Sequence, residues 1–397
     1  MTQFSMTATV KAMKIQEVIL KAASNQITWF DAADIINVSY RTMKRWKARY
    51  QQFGYDGIFD RRMQRPSPKK ASLQEVATIL DLYRKVYKGF NVTHFHEKLA
   101  RHHNITRSYT FVKALLQTAG DVEKDPPKRK HRMHRERKPM VGMMLHLDGS
   151  SHEWIPALPG VFLDMLVLLD DATGEIYDMF LVEEENLETC MLILRNCVTK
   201  HGIFCSLYSD RAPQFFYTPK AGEKVKEGHF TQIHRALDQL GIRMIPAYSP
   251  EARGRSERMN QTLQGRLPNE FKLHNIKTME EANRFIRESF LPEFSKQFAA
   301  QPQDDGSAFI PVQTHIDLEK IFSIQSERIV RHDNTVQFEN LNLQIYPSKF
   351  RTSFARCRVT VMKHMDQTLS IAFGPHTLGR YDLNGQPIQT LNQKVAA

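Results

Sequence analysis

Apolar residues in this chain change their spacing partway along, and that change excludes one uniform architecture. Up to about residue 123 they recur three and four apart. From residue 143 they gather into short continuous runs, and beyond about residue 310 they alternate with polar neighbours. The first pattern is that of amphipathic helices, the second of buried strands, the third of strands with one wet face. At roughly 150 residues per domain, 397 residues suit two to four domains. A spanning helix needs about 18 consecutive apolar residues. None occurs, the longest stretch (Phe162–Leu169) being broken by Asp164. The opening MTQFSMTATVKAMK lacks the apolar centre of a secretory leader.

The helical third begins with Lys11–Ala23, which places Met13, Ile15, Val18, Ile19 and Ala22 at helical spacings. A short apolar helix over Thr28–Ile36 and a turn at Asn37–Val38 follow, and Ser39 is a suitable N-cap for YRTMKRWKARYQQF. That third helix keeps Met43, Trp46 and Tyr50 on one stripe, with Arg41, Lys44, Arg45, Lys47 and Arg49 over much of the rest. Helix, short helix, turn and basic helix is a helix-turn-helix order, whose last helix fits a major groove. A charged helix facing solvent is the plainer reading. Five bases in nine residues without an acid favour DNA.

FGYDGIFDRRMQRPSPKKA, carrying Arg61 and Arg62, reads as a basic arm suited to phosphates. A second three-helix unit is expected at Ser72–Lys88, Asn91–His103 and Thr106–Thr118, with Ser72 and Glu75 at capping-box spacing. His94, His96, His102 and His103 make only a weak zinc signal without cysteines beside them. KDPPKRKHRMHRERKP then forms a linker, with Lys128, Arg129 and Lys130 in a run of seven bases and one Glu between Lys128 and Lys138. Residues 1–138 hold 28 Lys and Arg against 12 Asp and Glu, net +16, whereas the remaining residues hold 27 against 31, net −4. A basic third on a slightly acidic body indicates a polyanion reader joined to something else. Nucleic acid fits better than a membrane surface, because the basic helices lack a strongly apolar opposite face.

Cys190, Cys197, Cys205 and Cys357 form no CxxC pair. Cys190 and Cys197 are seven apart on a predicted helix, the spacing of core packing, and the usage fits a reducing cytosol.

The central region reads as an α/β layer. MMLHLDGS, VFLDMLVLLDD and EIYDMFLVE are strands, with a hairpin turn at Asp170–Gly174. A helix over about Leu187–His201, strand IFCSLYSD, helix HFTQIHRALDQLG, strand IRMIPAYS and a long helix from near Pro250 continue it. Short strands after residue 310 suggest a small all-β barrel. The domains expected are 1–66 and 67–123 (helix-turn-helix units), 124–139 (linker), 140–300 (α/β core) and 310–397 (barrel).

Asp148 and Asp210 each follow a strand, and Glu257 lies on the helix begun by PEARGRSERMNQTL. Two strand ends and a facing helix can bring such carboxylates together, although an Asp at a strand end is more often a turn former. Bare, the cluster would repel itself; hard oxygen donors call for Mg²⁺ or Mn²⁺. Two such ions serve in-line phosphoryl transfer. Asp164, Asp170 and Asp171 belong by position to the sheet and its turn.

At HLDGSSHEW, LLDDATGEI, YSDRAPQF and YSPEARGRSERMNQTLQ the chain resembles the DDE transposase and retroviral-integrase superfamily, with its RNase H-like core. It looks most like bacterial insertion-sequence transposases of the ISNCY type, over nearly its whole length. The resemblance implies that Asp148, Asp210 and one glutamate hold a pair of Mg²⁺ ions. Glu251 and Glu257 compete for the third place. In the family a small turn and Gly precede the Glu, and Met/Leu-Asn follows it, which favours Glu257 in SPEARGRSERMN. Met259, Leu263 and Leu267 form a packing stripe, leaving Glu257, Asn260, Gln261 and Gln264 on another face. The 46 residues between Asp210 and Glu257 exceed the interval of compact integrases, through the loop YTPKAGEKVKEGH.

Arg211, Arg253, Arg255 and Arg258 stand near the carboxylates in sequence, where phosphates would lie. His152 and Trp154 suit either a contact to a transposon end or local packing. The implied activity is binding of terminal inverted repeats, DNA end cleavage and strand transfer, by a dimer or larger synaptic complex in the bacterial cytoplasm at the nucleoid. A domesticated, inactive DNA-binding regulator is the alternative. A plain RNase H-type nuclease would leave the two helix-turn-helix units without a purpose.

Overall fold

The computed structural model describes residues 6–59, 70–124, 136–218, 228–248 and 254–388. The chain divides into two compact units, Met1–Thr78 and Ile79–Ala397.

In the first unit α1 (Met6–Ala23), α2 (Trp29–Ile36) and α3 (Tyr40–Phe53) enclose Ile15, Val18, Ile19, Ala32 and Met43. α1 starts earlier than the apolar stripe suggested, because Met6–Val10 contain no helix breaker. The α2–α3 turn is written in its caps. Thr28 and Asp31 close a capping box on α2, and Asn37 ends it in the left-handed region at φ 58°. Ser39 then accepts from the Thr42 amide and starts α3.

α4 (Leu73–Lys85), α5 (Val92–His103) and α6 (Tyr109–Thr118) form the second three-helix unit, around Ile79, Tyr83, Phe95, Leu99, Val112 and Leu116. Asn91 and Ser108 cap α5 and α6.

Five strands build the central sheet: β1 (Leu145–His152), β2 (Leu163–Asp170), β3 (Ile176–Val182), β4 (Ser206–Ser209) and β5 (Arg243–Pro246). α7 (Leu187–His201) precedes β4, and α8 (Gln232–Gln239) precedes β5. The order is β3-β2-β1-β4-β5, with β1–β3 antiparallel and β4 and β5 parallel to β1. α9 (Gly254–Gln264), α10 (Leu267–Leu273), α11 (Met279–Phe285) and α12 (Leu291–Phe298) follow. Both sheet faces are covered, which is why Met165–Leu169 of β2 read as a continuous apolar run. Leu145, Leu147, Leu166 and Leu168 meet α7 and α8 on one side. Met165, Val167 and Leu169 meet Leu263, Leu267 and Phe271 on the other. Cys190 and Cys197 are buried in the first of these cores.

α5 is held to α10 through charge. Glu270 meets His94 at 2.6 Å and Lys98 at 2.7 Å, and Arg266 pairs with Glu97 at 2.6 Å.

After α13 (Leu318–Ile321) come β6 (Ile324–Ile329), β7 (Thr335–Phe338), β8 (Leu341–Gln344), β9 (Arg358–Lys363), β10 (Leu369–Phe373) and β11 (His376–Tyr381). The all-β expectation holds, but the barrel does not close among the described residues. A four-stranded sheet, β11-β10-β9-β6, and the pair β7-β8 share one core around Val336, Leu343, Val361 and Ile371. β7 and β8 have four residues each and pair only with one another, so the staggered pairing that closure requires is missing.

Candidate active site

β1 and β4 run parallel with Leu145 opposite Leu207 and His146 opposite Tyr208. Carried two residues past this last pair, the register would bring Asp148 level with Asp210, the first residue past β4. Asp148 is buried, and its Oδ2 accepts from Asn260 Nδ2 at 2.8 Å. Asp210 Oδ1 accepts from the Ala212 amide at 3.0 Å, which turns the chain away from the sheet.

Asn260 comes from α9, and its own Oδ1 is buried with no hydrogen-bond partner. One turn on, Gln264 Nε2 donates to Ser150 Oγ at 2.9 Å. These two bonds lay α9 along β1, both running the same way. Glu257 is one turn before Asn260, on the exposed flank of the helix. Among the described residues no three Asp, Glu, His or Cys side chains are gathered closely enough to hold a metal ion. Asp148 thus lies on β1 and Asp210 just beyond its neighbour β4, and Glu257 is exposed on the helix that Asn260 ties to β1.

A second network lies beneath. Asp171 accepts from the Lys138 amide at 2.7 Å and pairs with His146 Nε2 at 2.7 Å. Arg255 Nη1 donates to the Asp171 carbonyl at 2.8 Å, and its guanidinium also meets the Asp171 carboxylate. Burial alone would raise the Asp171 carboxyl, but the His146 bond, the Lys138 amide and the Arg255 charge hold it far below the usual carboxylate range. Asp170 accepts from the Gly142 and Thr173 amides, and Asp164 from the Glu185 amide. Asp170 therefore serves the sheet and its turn as expected, whereas Asp164 also holds the entry to α7 and Asp171 reaches α9 through Arg255.

Glu185, at the entry to α7, was not singled out in the sequence. Its carboxylate lies against Gly149, where a Cβ would overlap it, and accepts from Gln214 Nε2 at 2.8 Å. Burial pushes its carboxyl up, and the charge of Asp210 adds to this. In EEEN it looks like part of a solvated acidic run; the bare Gly directly after Asp148 was the available signal.

The basic residues separate by environment. Arg41, Lys44 and Arg45 are exposed on α3, whereas Lys47 and Arg49 are half-buried, Lys47 lying 4.3 Å from the Trp29 ring. Arg211 lies over Tyr248 at 5.2 Å, and exposed Arg258 donates back to the Gly254 carbonyl. Arg255 departs from its expected place among phosphate contacts: its side chain is 11% exposed and turned to Asp171. Arg61, Arg62, Lys128, Arg129, Lys130, Arg253 and Glu251 lie outside the described residues. Trp154 is fully buried and donates to the Ser150 carbonyl, so packing accounts for it. The N-terminal histidines bond apart, His94 to Glu270, His96 to the Arg107 carbonyl and His103 to the Tyr87 hydroxyl.

Residues 16–67 match the model of a helix-turn-helix domain. Over 344 residues the chain is 30% identical to the transposase for insertion sequence IS1202 of Streptococcus pneumoniae, a match covering 77% of this chain and 72% of that protein. It is 28% identical over 363 residues to the Sinorhizobium fredii (strain NBRC 101917 / NGR234) protein y4bF, which bears a transposase name, covering 91% and 79% respectively. Among solved structures, a chain of the simian T-cell lymphotropic virus intasome in complex with PP2A regulatory subunit B56 gamma aligns with 67% of this chain and 88% of its own. Its identity is 13% and its TM-score 0.33, too slight a likeness to argue from.

Proposed function

The chain belongs to the insertion-sequence transposases, and on that premise we propose that it cleaves and joins the ends of a mobile DNA element with Asp148, Asp210 and Glu257. The observation that carries this reading is the Asn260–Asp148 hydrogen bond, which ties the helix bearing Glu257 to the strand pair bearing both aspartates.

The donor set fits a hard divalent cation: three carboxylates and no thiolate or imidazole among them. The unpartnered Asn260 Oδ1 beside Asp148 adds a buried acceptor, suited to the water shell such an ion keeps. Mg²⁺ or Mn²⁺, held as a pair, would supply activation of a water or a 3′-hydroxyl and stabilisation of the leaving oxygen. The chain's own part is to hold and aim. Asn260 fixes one oxygen of Asp148, the Ala212 amide fixes one of Asp210, and Glu257 approaches from α9.

Arg41, Lys44 and Arg45 are the groove-facing candidates on α3 for recognising the inverted repeats, with Lys47 and Arg49 nearer the helix's packed side. Arg211 and Arg258 remain candidates for phosphates beside the carboxylates. Handling two element ends in one reaction calls for two or more protomers. The deciding experiment is a plasmid nicking and joining assay with element ends and Mg²⁺. Cleavage and joining by the full chain support the transposase reaction; a gel shift without either would favour a DNA-binding regulator.

A further inference from the structure

We propose that Arg255, Asp171 and His146 form a clamp that positions the first turn of α9, and with it Glu257, over the strand carrying Asp148. The proposal rests on Glu257 being the third catalytic carboxylate, and it assigns Arg255 a positioning role in place of a phosphate contact.

The geometry converges on one carboxylate. His146 lies two residues before Asp148 on β1, and Arg255 lies two residues before Glu257 on α9. Both reach Asp171, which is 1% exposed at the turn after β2. His146 Nδ1 is buried without a partner, so the ring is held through Nε2 and its bond to Asp171. Asp171 is itself fixed by the Lys138 amide. Arg255 therefore meets an anchor that is already immobile.

The spacing shows what the anchor does. α9 is tied to β1 at three levels: Arg255 to His146 through Asp171, Asn260 to Asp148, and Gln264 to Ser150. A helix rises about 1.5 Å per residue and a strand about 3.3 Å. Five helix residues and then four, about 7.5 and 6 Å, are matched each time by two strand residues, about 6.6 Å. The three ties are thus in step, and Glu257 falls between the first two. The first tie stands before Glu257 and the second after it, in a turn where Ser256 is buried and Met259 packs on the core. Arg suits this place because its planar fork can donate to the carbonyl and carboxylate of one residue together.

The test uses the full chain with Arg255→Ala, Arg255→Met, which keeps the packing stem, and Arg255→Lys. Hydrogen–deuterium exchange of residues 254–264 is the primary readout, with Mn²⁺ affinity by calorimetry and joining kinetics beside it. The clamp predicts at least tenfold faster exchange at the start of α9 in the Ala and Met variants, with β1–β3 unchanged. Mn²⁺ should bind several-fold more weakly and kcat should fall, while affinity for element ends is retained and Lys recovers part of each loss. Unaltered α9 exchange in both Ala and Met variants would overturn the clamp, even if Glu257→Gln abolished joining. General loss of protection across β1–β3 in both would also overturn it, as would lost DNA affinity with kcat intact. Active Glu257→Gln with fast-exchanging Arg255→Ala would instead overturn the catalytic role of Glu257.

Discussion

Asn260 donates to the buried carboxylate of Asp148 across 2.8 Å, joining residues 112 positions apart in the chain. Hydrogen bonds to charged groups contribute about 1.5–3 kcal/mol, and this one also aims the carboxylate. Asn260→Ala should lower joining roughly 10- to 100-fold at unchanged end binding, a loss equivalent to about 1.4–2.8 kcal/mol in the barrier. Asn260→Asp should be worse, since it sets a like charge against Asp148. Single-turnover joining rates check both.

Gly149 has no room for a side chain, because a Cβ there would overlap the Glu185 carboxylate. Gly149→Ala should destabilise the core by about 1–3 kcal/mol, the usual range for overpacking. The same substitution made in Glu185→Ala should cost less than half as much. Thermal melts of the four chains in this cycle measure the difference.

The α5–α10 contact should weaken in acid. Burial alone would raise the Glu270 carboxyl, but His94 and Lys98 bring it down to about 2. His94 is itself pushed down by burial, so at neutral pH it acts as an uncharged donor. A carboxyl depressed on folding contributes stability above its unfolded value near 4.5, lost as pH falls from about 5 toward 2. The contribution is on the order of 3 kcal/mol. Glu270→Gln should lower stability at pH 7 and flatten this acid limb, which denaturant titrations at several pH values would record.

On α3, exposure should rank the effects of substitution. Arg41→Ala, Lys44→Ala and Arg45→Ala should each weaken end binding; for each phosphate contact removed, the log–log salt slope should fall by about 0.9. Lys47→Ala should change the slope less and lower thermal stability, since its ammonium lies against Trp29. Binding isotherms at several salt concentrations separate these effects.

The helices, their caps and the sheet strands were legible because local rules set them. Ser39 and Ser72 each accept from the amide three residues on, and Met165–Leu169 of β2 are continuous apolar sequence because both faces are covered. Asp210 was legible as a strand-end acid; Asp148, expected just past its strand, instead lies inside β1 opposite Val167, because the β1–β2 pairing runs on to His152. Glu185 and the Asp171–Arg255 pair were not legible, because each depends on which elements meet. No spacing in the chain relates Glu185 to Gly149, or a turn after β2 to the first turn of α9. Barrel closure failed for a similar reason: alternation reports which face is buried, not which strand is the neighbour.

The central claim is that Asp148, Asp210 and Glu257 act as one set. Its most direct measurement is Mg²⁺-dependent joining of element ends by Asp148→Asn, Asp210→Asn and Glu257→Gln, with end binding followed in parallel. Loss of cleavage and joining in all three, with end binding kept, is the predicted result. Joining retained by Glu257→Gln but lost in Glu251→Gln would contradict it.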